Sequence, residues 1–155
     1  MILKEQHGAS AVEFAIILPL LVVLLFGLVE FGLLLYNQQV ITNASREGAR
    51  AAIVGNCSNR KTNSEIGQIV TDYCVDPSDT TKKRLITFAE VNNPPVTSVS
   101  PSPSDCTPGG AGLTVGDDVT VAVQYTYTFL SPSLLGFGAT KQLEARTLMK
   151  MESAP

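Results

Sequence analysis

Apolar residues run almost unbroken from Phe14 to Tyr36, and Glu30 is the one ionisable group inside the run before the terminal tyrosine. A bilayer-spanning helix needs about 20 predominantly apolar residues, and this stretch supplies them. Glu13 stands at its front edge, within Gly8-Ala9-Ser10-Ala11-Val12-Glu13-Phe14. A carboxylate held in lipid costs about 3 kcal/mol or more unless it is paired or reaches the interface. Its presence there asks for a chemical reason. Past the run, Tyr36, Val40, Ala44, Gly48, Ala51 and Ala52 keep helical spacing with Ile41 beside them. Asn43, Arg46, Glu47 and Arg50 fall largely elsewhere on the wheel, so the helix is predicted to continue as an amphipathic rod with a stripe of small residues. From Ala9 to Val54 such a rod would be about 70 Å long. Pro19, Gly27 and Gly32 are the expected places for a bend, and Gly55-Asn56 the expected stop.

The remainder predicts a small α+β domain. Thr62-Asn63-Ser64-Glu65 has the form of a capping box, and Ile66, Ile69, Val70 and Tyr73 then recur at helical spacing. Asp76-Pro77-Ser78-Asp79 should end that helix. Strands are expected at Leu85–Val91 and Val96–Ser100, with Pro- and Gly-rich loops between the later elements. Strict alternation from Val119 to Phe129 gives the clearest strand, and Leu143 to Met151 alternates again. Between those two lies a loop with Leu134, Leu135 and Phe137. Two helices followed by antiparallel strands suggest a sheet packed on the soluble part of the long helix. The expected divisions are a leader at 1–8, a transmembrane helix at 9–36, its amphipathic continuation at 37–55 and an extra-membrane domain at 56–155.

Composition narrows the function. At 155 residues, the chain has room for one small domain beyond the membrane. Mean hydropathy is +0.19, with the excess in the first third. A net charge of −3 gives no electrostatic case for nucleic acid, and Lys82-Lys83-Arg84 is too short to be more than a solvated turn. No Ala-x-Ala follows Tyr36 closely, which argues against a cleaved secretory signal. Flanking charge leaves the orientation undecided, with Lys4 and the amino terminus set against Arg46 and Arg50. His7 is the only histidine and lies in the leader, so no triad, acid–base pair or metal cluster can be drawn from it. Nor do the glycines have phosphate-loop spacing. Asp117-Asp118 reads as a turn before a strand rather than a calcium site. Neither catalysis, cofactor nor metal is expected. Cys57, Cys74 and Cys106 lie beyond the membrane segment without a Cys-x-x-Cys motif, favouring one disulfide with one thiol left over. The pairing is open; Cys74–Cys106 is favoured because it would pin the Pro/Gly-rich loop.

Gly8 followed by Ala9-Ser10-Ala11-Val12-Glu13-Phe14 resembles the processing site of type IV prepilins and pseudopilins. Within that superfamily the chain is similar to the TadE-like proteins of the tight-adherence (Flp) pilus system. The likeness is carried by Ser10-Ala11-Val12-Glu13-Phe14-Ala15, Pro19 and Ala44-Ser45-Arg46-Glu47-Gly48-Ala49-Arg50-Ala51, and more loosely by the late strand Val121–Tyr127 and the ending Ala145–Glu152. The resemblance implies cleavage by a prepilin peptidase between Gly8 and Ala9, with Glu13 and Phe14 becoming the fifth and sixth residues. It departs from the family in a short leader whose firm positive charge is Lys4 alone, and in the small Ala9. It further implies a non-catalytic minor pilin or pseudopilin of a bacterial inner membrane, its domain extracytoplasmic, partnered by other pilins and the Tad assembly machinery. Glu13 would then pair with the α-ammonium group of Ala9 or of a neighbour; the plainer reading is a carboxylate snorkelling to water. Glu30 is either a further intramembrane contact or a mark of the outer interface, and the latter is favoured because Tyr36 and the polar Asn37 follow closely. The alternative class is a single-pass envelope protein whose domain binds a ligand or partner.

Overall fold

The structure is a computed structural model, and it describes residues 6–54, 59–76, 79–88, 93–103, 113–130 and 138–152. It shows an α+β arrangement: a long N-terminal apolar helix, a second short helix and a three-stranded antiparallel sheet. Helix α1 (Gln6–Ile53) is continuous for 48 residues, about 72 Å, with Pro19 inside it. The expected stop at Gly55-Asn56 lies outside the described residues. Helix α2 (Asn63–Cys74) starts with the predicted capping box. The Glu65 N–H donates to Thr62 Oγ1 at 3.3 Å and the Thr62 N–H to Glu65 Oε2 at 2.7 Å, so two helix-end donors are satisfied reciprocally. Ile66, Val70 and Cys74, spaced by four, form its buried face.

A short hairpin follows, β1 (Val75–Asp76) against β2 (Asp79–Lys83), and then a sheet of β3 (Val96–Ser100), β4 (Asp118–Thr128) and β5 (Thr140–Lys150) in the order β3-β4-β5. The two strong alternations thus become the two long strands, paired along their whole length from Asp118↔Lys150 to Thr128↔Thr140. Val119, Val121, Val123, Tyr125 and Tyr127 of β4, with Leu143 and Ala145 of β5, turn one face inward. That face meets the second half of α1 and the apolar side of α2.

Gly48 is where helix and sheet come closest. A β-carbon there would lie 2.7 Å from Val70 Cγ2, 3.3 Å from Val121 Cγ1 and 3.5 Å from Ile66 Cγ2, so only glycine fits without displacing a neighbour. The small-residue stripe exists, rotated slightly from its expected position. Ile41, Ala44, Ser45, Gly48, Ala49 and Ala52 are buried, whereas Tyr36 is 45% exposed and Asn37 faces inward in its place. A polar residue was not expected there. It is tolerated because Asn37 Nδ2 donates to the Ile86 carbonyl at 2.7 Å and its Oδ1 accepts from the Ile86 N–H at 2.9 Å.

The same pair of bonds explains why residues 85–88, the described part of the strand expected at Leu85–Val91, form no strand. Residues 85–88 are irregular, with Leu85 buried and the Ile86 peptide groups taken by a helix side chain instead of a neighbouring strand; residues 89–91 lie outside the described set. The strand in this region is β2, slightly earlier and made of polar residues that periodicity could not single out.

Candidate functional site

The structure divides α1 into two chemically different halves. From Gly8 to Val29 no residue of the helix is buried, and all but the partly covered Val23, Phe26 and Gly27 are exposed: Phe14, Leu20, Leu24 and Leu28 are each more than 60% exposed. Gly8, Ala9, Glu13 and Phe14 all lie on this bare part. Ala9 and Glu13 are one turn apart and share a helix face, so the Glu13 carboxylate points over the turn that a mature amino terminus at Ala9 would occupy. Among the described residues nothing buries either of them. Their chemistry, an exposed acid beside an exposed apolar ring on an apolar rod, is that of a surface meant for lipid or for other helices.

From Glu30 onward the same helix belongs to the domain. Glu30 is 2% exposed. It accepts from the Tyr127 hydroxyl and from the backbone N–H of Leu130, one donor on each carboxylate oxygen. The sequence suggested an interfacial marker at this position; the structure shows a sequestered acid tied to the end of β4. Burial, and then the neighbouring Glu30 carboxyl, push the Tyr127 hydroxyl well above the usual phenol range, so it remains a donor at all ordinary pH. The Tyr127 ring also meets Phe129 edge to face, with centroids 5.3 Å apart. Leu33 and Leu34 pack on the core just above, ahead of the Tyr36 boundary expected for the membrane segment.

Three further polar ties join α1 to the domain. Besides the Asn37–Ile86 pair, Gln38 Nε2 donates to the Glu144 carbonyl at 2.9 Å, and the Ser45 and Thr147 hydroxyls lie 2.7 Å apart. Together with the small-residue stripe they fix height and rotation. Glu30 sits beside Tyr127 and Gly48 beside Val121, so β4 runs opposite to α1; Gln38 beside Glu144 and Ser45 beside Thr147 make β5 run with it.

Asp117-Asp118 has a structural use. Asp117 Oδ2 accepts from the Thr114 N–H at 2.6 Å and from the Thr114 hydroxyl at 2.9 Å, closing the turn into β4, and these bonds hold its carboxyl below the usual range. Gly116, at φ +94°, supplies the left-handed residue the turn requires. Asp118 faces Lys150 across the ladder at 3.8 Å. Among the described residues no cluster of His, Cys, Asp and Glu is arranged for a metal ion. A groove between the end of α1 and α2 is lined by Glu47, Arg50, Lys61 and Ile69, without a nucleophile or paired acids. Cys74 is a buried free thiol at the last turn of α2, and burial pushes it up to about 11. Cys57 and Cys106 lie outside the described residues, and with them the other end of the expected Cys74–Cys106 bridge.

Helix α1 is long and apolar enough to cross a membrane, consistent with a single-pass membrane protein. A family model described as TadE-like protein matches residues 8–50, the bare half of α1 together with its small-residue stripe. The match agrees with the resemblance carried by Gly8 to Ala15 and Ala44 to Ala51, and is consistent with a TadE-like protein of the Tad pilus system. No curated protein and no solved structure matches the chain.

Proposed function

We propose that this protein is a non-catalytic minor pilin or pseudopilin of a Tad-type pilus, anchored by α1 in the bacterial inner membrane with its domain outside the cytoplasm. The reading rests above all on one observation: Glu13 is left exposed on the bare half of α1, while Glu30, the acid inside the apolar run, is sequestered. An uncovered acid in lipid carries a cost of about 3 kcal/mol. Removal of Met1 to Gly8 by a prepilin peptidase would create an α-ammonium group at Ala9, one turn from Glu13. Pairing these groups between subunits removes two isolated charges at once, so packing against other pilins relieves a cost each free subunit bears. The domain, locked to the helix from Glu30 upward, would be carried as a fixed body on the assembled bundle.

The test has two readings on the same cells. Intact mass is expected to show a chain starting at Ala9 wherever a prepilin peptidase is active; retention of Met1 there overturns the processing step. Glu13→Leu is expected to leave the membrane level unchanged or slightly raised and to lower co-purification with the pilus machinery severalfold. Wild-type levels of both would make Glu13 an interfacial residue and α1 a plain anchor.

A further inference from the structure

The apolar run continues to Tyr36, yet the domain begins to cover α1 at Glu30. Over these residues, roughly 10 Å of helix axis, one face packs on the domain while the other stays bare, with Phe31 59%, Leu35 52% and Tyr36 45% exposed. A hydrocarbon core of about 30 Å takes about 20 residues of upright helix, which counted from Phe14 end near Leu33; tilt carries the boundary further. Glu30 therefore lies below the lipid surface, and so does whatever is bonded to it.

The residues bonded there carry exposed apolar side chains. Leu130, whose N–H holds Glu30, is 45% exposed. At the upper end of the overlap Ile86, bonded to Asn37, is 39% exposed, and Phe88 two residues on is 43% exposed. They are tied to the two ends of the same short stretch of α1 whose other face is bare. Lys141, opposite Tyr127 in the sheet, is exposed at that level, with a stem long enough to bring its ammonium to the headgroup phosphates.

We propose that this base of the domain is a lipid-contacting surface: Leu130, Phe88 and Ile86 enter the outer leaflet beside α1. Tyr127 and the Leu130 peptide thereby seal Glu30 from hydrocarbon, which accounts for an acid inside the span and for apolar side chains left uncovered on the domain. The proposal needs α1 to span the bilayer but does not depend on a role in a pilus.

The chain has no tryptophan, so single tryptophans report depth without a background signal. The full chain carrying Leu130→Trp, Phe88→Trp, Leu21→Trp or Val54→Trp is reconstituted in phosphatidylcholine vesicles, plain or with brominated acyl chains. Leu21→Trp, on the bare helix, reports whether α1 spans; Val54→Trp, at the far end of α1, should be blind to bromine. The proposal expects Leu130→Trp and Phe88→Trp to lose most of their emission in brominated vesicles. Phe88→Trp keeps an aromatic at its site, and Leu130 holds Glu30 through its backbone, so the pair does not depend on one variant folding. Emission unchanged at both, with Leu21→Trp quenched, overturns the lipid contact alone. Leu21→Trp unquenched overturns the spanning helix and the proposal with it. Shielding of Leu130 that requires an added pilin would assign the surface to a protein partner and also overturn it.

Discussion

Gly48→Ala tests the packing of helix on sheet most directly. The added methyl would stand 2.7 Å from Val70 Cγ2, whereas carbons in good contact sit about 3.5–4.0 Å apart, an overlap of roughly 1 Å. Val70 cannot swing away cheaply, because a β-branched side chain in a helix has one strongly preferred rotamer and Val70 is wholly buried. Overpacking of this kind costs about 1–3 kcal/mol. Alanine in place of glycine returns about 1 kcal/mol of helix propensity. The net expectation is a loss of up to about 2 kcal/mol, and Gly48→Val should lose more. Val70→Ala alone should also destabilise, by vacating apolar volume, but in the double variant the new methyl occupies that vacancy. The two changes should therefore couple favourably by about 1 kcal/mol or more. Chemical unfolding of the full chain in detergent, followed by the near-ultraviolet dichroism of its tyrosines, supplies the four free energies. Strict additivity, or a Gly48→Ala variant more stable than the parent by the full helix-propensity gain of about 1 kcal/mol, would refute the argument that contact at this point limits the approach of α1.

Tyr127→Phe removes a donor to Glu30 and is expected to cost about 1.5–3 kcal/mol in the same assay, with Glu30→Gln partly restoring the double variant; no loss in Tyr127→Phe would show that the pair is idle. In reduced protein the Cys74 thiol, raised to about 11, should resist alkylation near neutral pH until the domain unfolds, and rapid labelling of native protein would contradict its burial. The Glu65 and Asp117 carboxyls are both held low by hydrogen bonds from Thr62 and Thr114. Their contribution to stability is therefore complete above the ordinary carboxylate range and lost as pH falls through their lowered values, so Asp117→Asn should flatten the acid limb of a stability–pH curve.

What could be read from the sequence was what depends on neighbours in sequence. The long apolar helix, the capping box of Thr62 and Glu65, and the alternation that became β4 and β5 are local patterns, and each appears in the fold. The stretch from Gly8 to Phe14 was likewise legible as a motif, though its bareness required the fold. The failures lie where a distant group decides. Glu30 shows nothing in its own surroundings of a tyrosine 97 positions away. Asn37 looked like the polar end of the membrane segment because its partner, the Ile86 peptide, is 49 positions on. Leu85 and Ile86 have strand propensity, but their backbone bonds go to a helix side chain, and propensity yields to whichever partner the fold supplies. Strand β2, made of Asp, Thr and Lys, had no hydrophobic period to betray it.

The polar ties along α1 also bear on how the molecule would carry load. Glu30, Asn37, Gln38 and Ser45 are spread over about 23 Å of helix, and together they grip three segments of the domain: the end of β4, the stretch at Ile86 and β5. A pull along the helix axis reaches all four together, in shear, across two paired strands and an interlocked stripe. A sideways pull at one end would meet them one after another, as a zip. The domain is thus set to hold against tension along the rod and to yield to peeling, a directional strength that follows from where four side chains were placed.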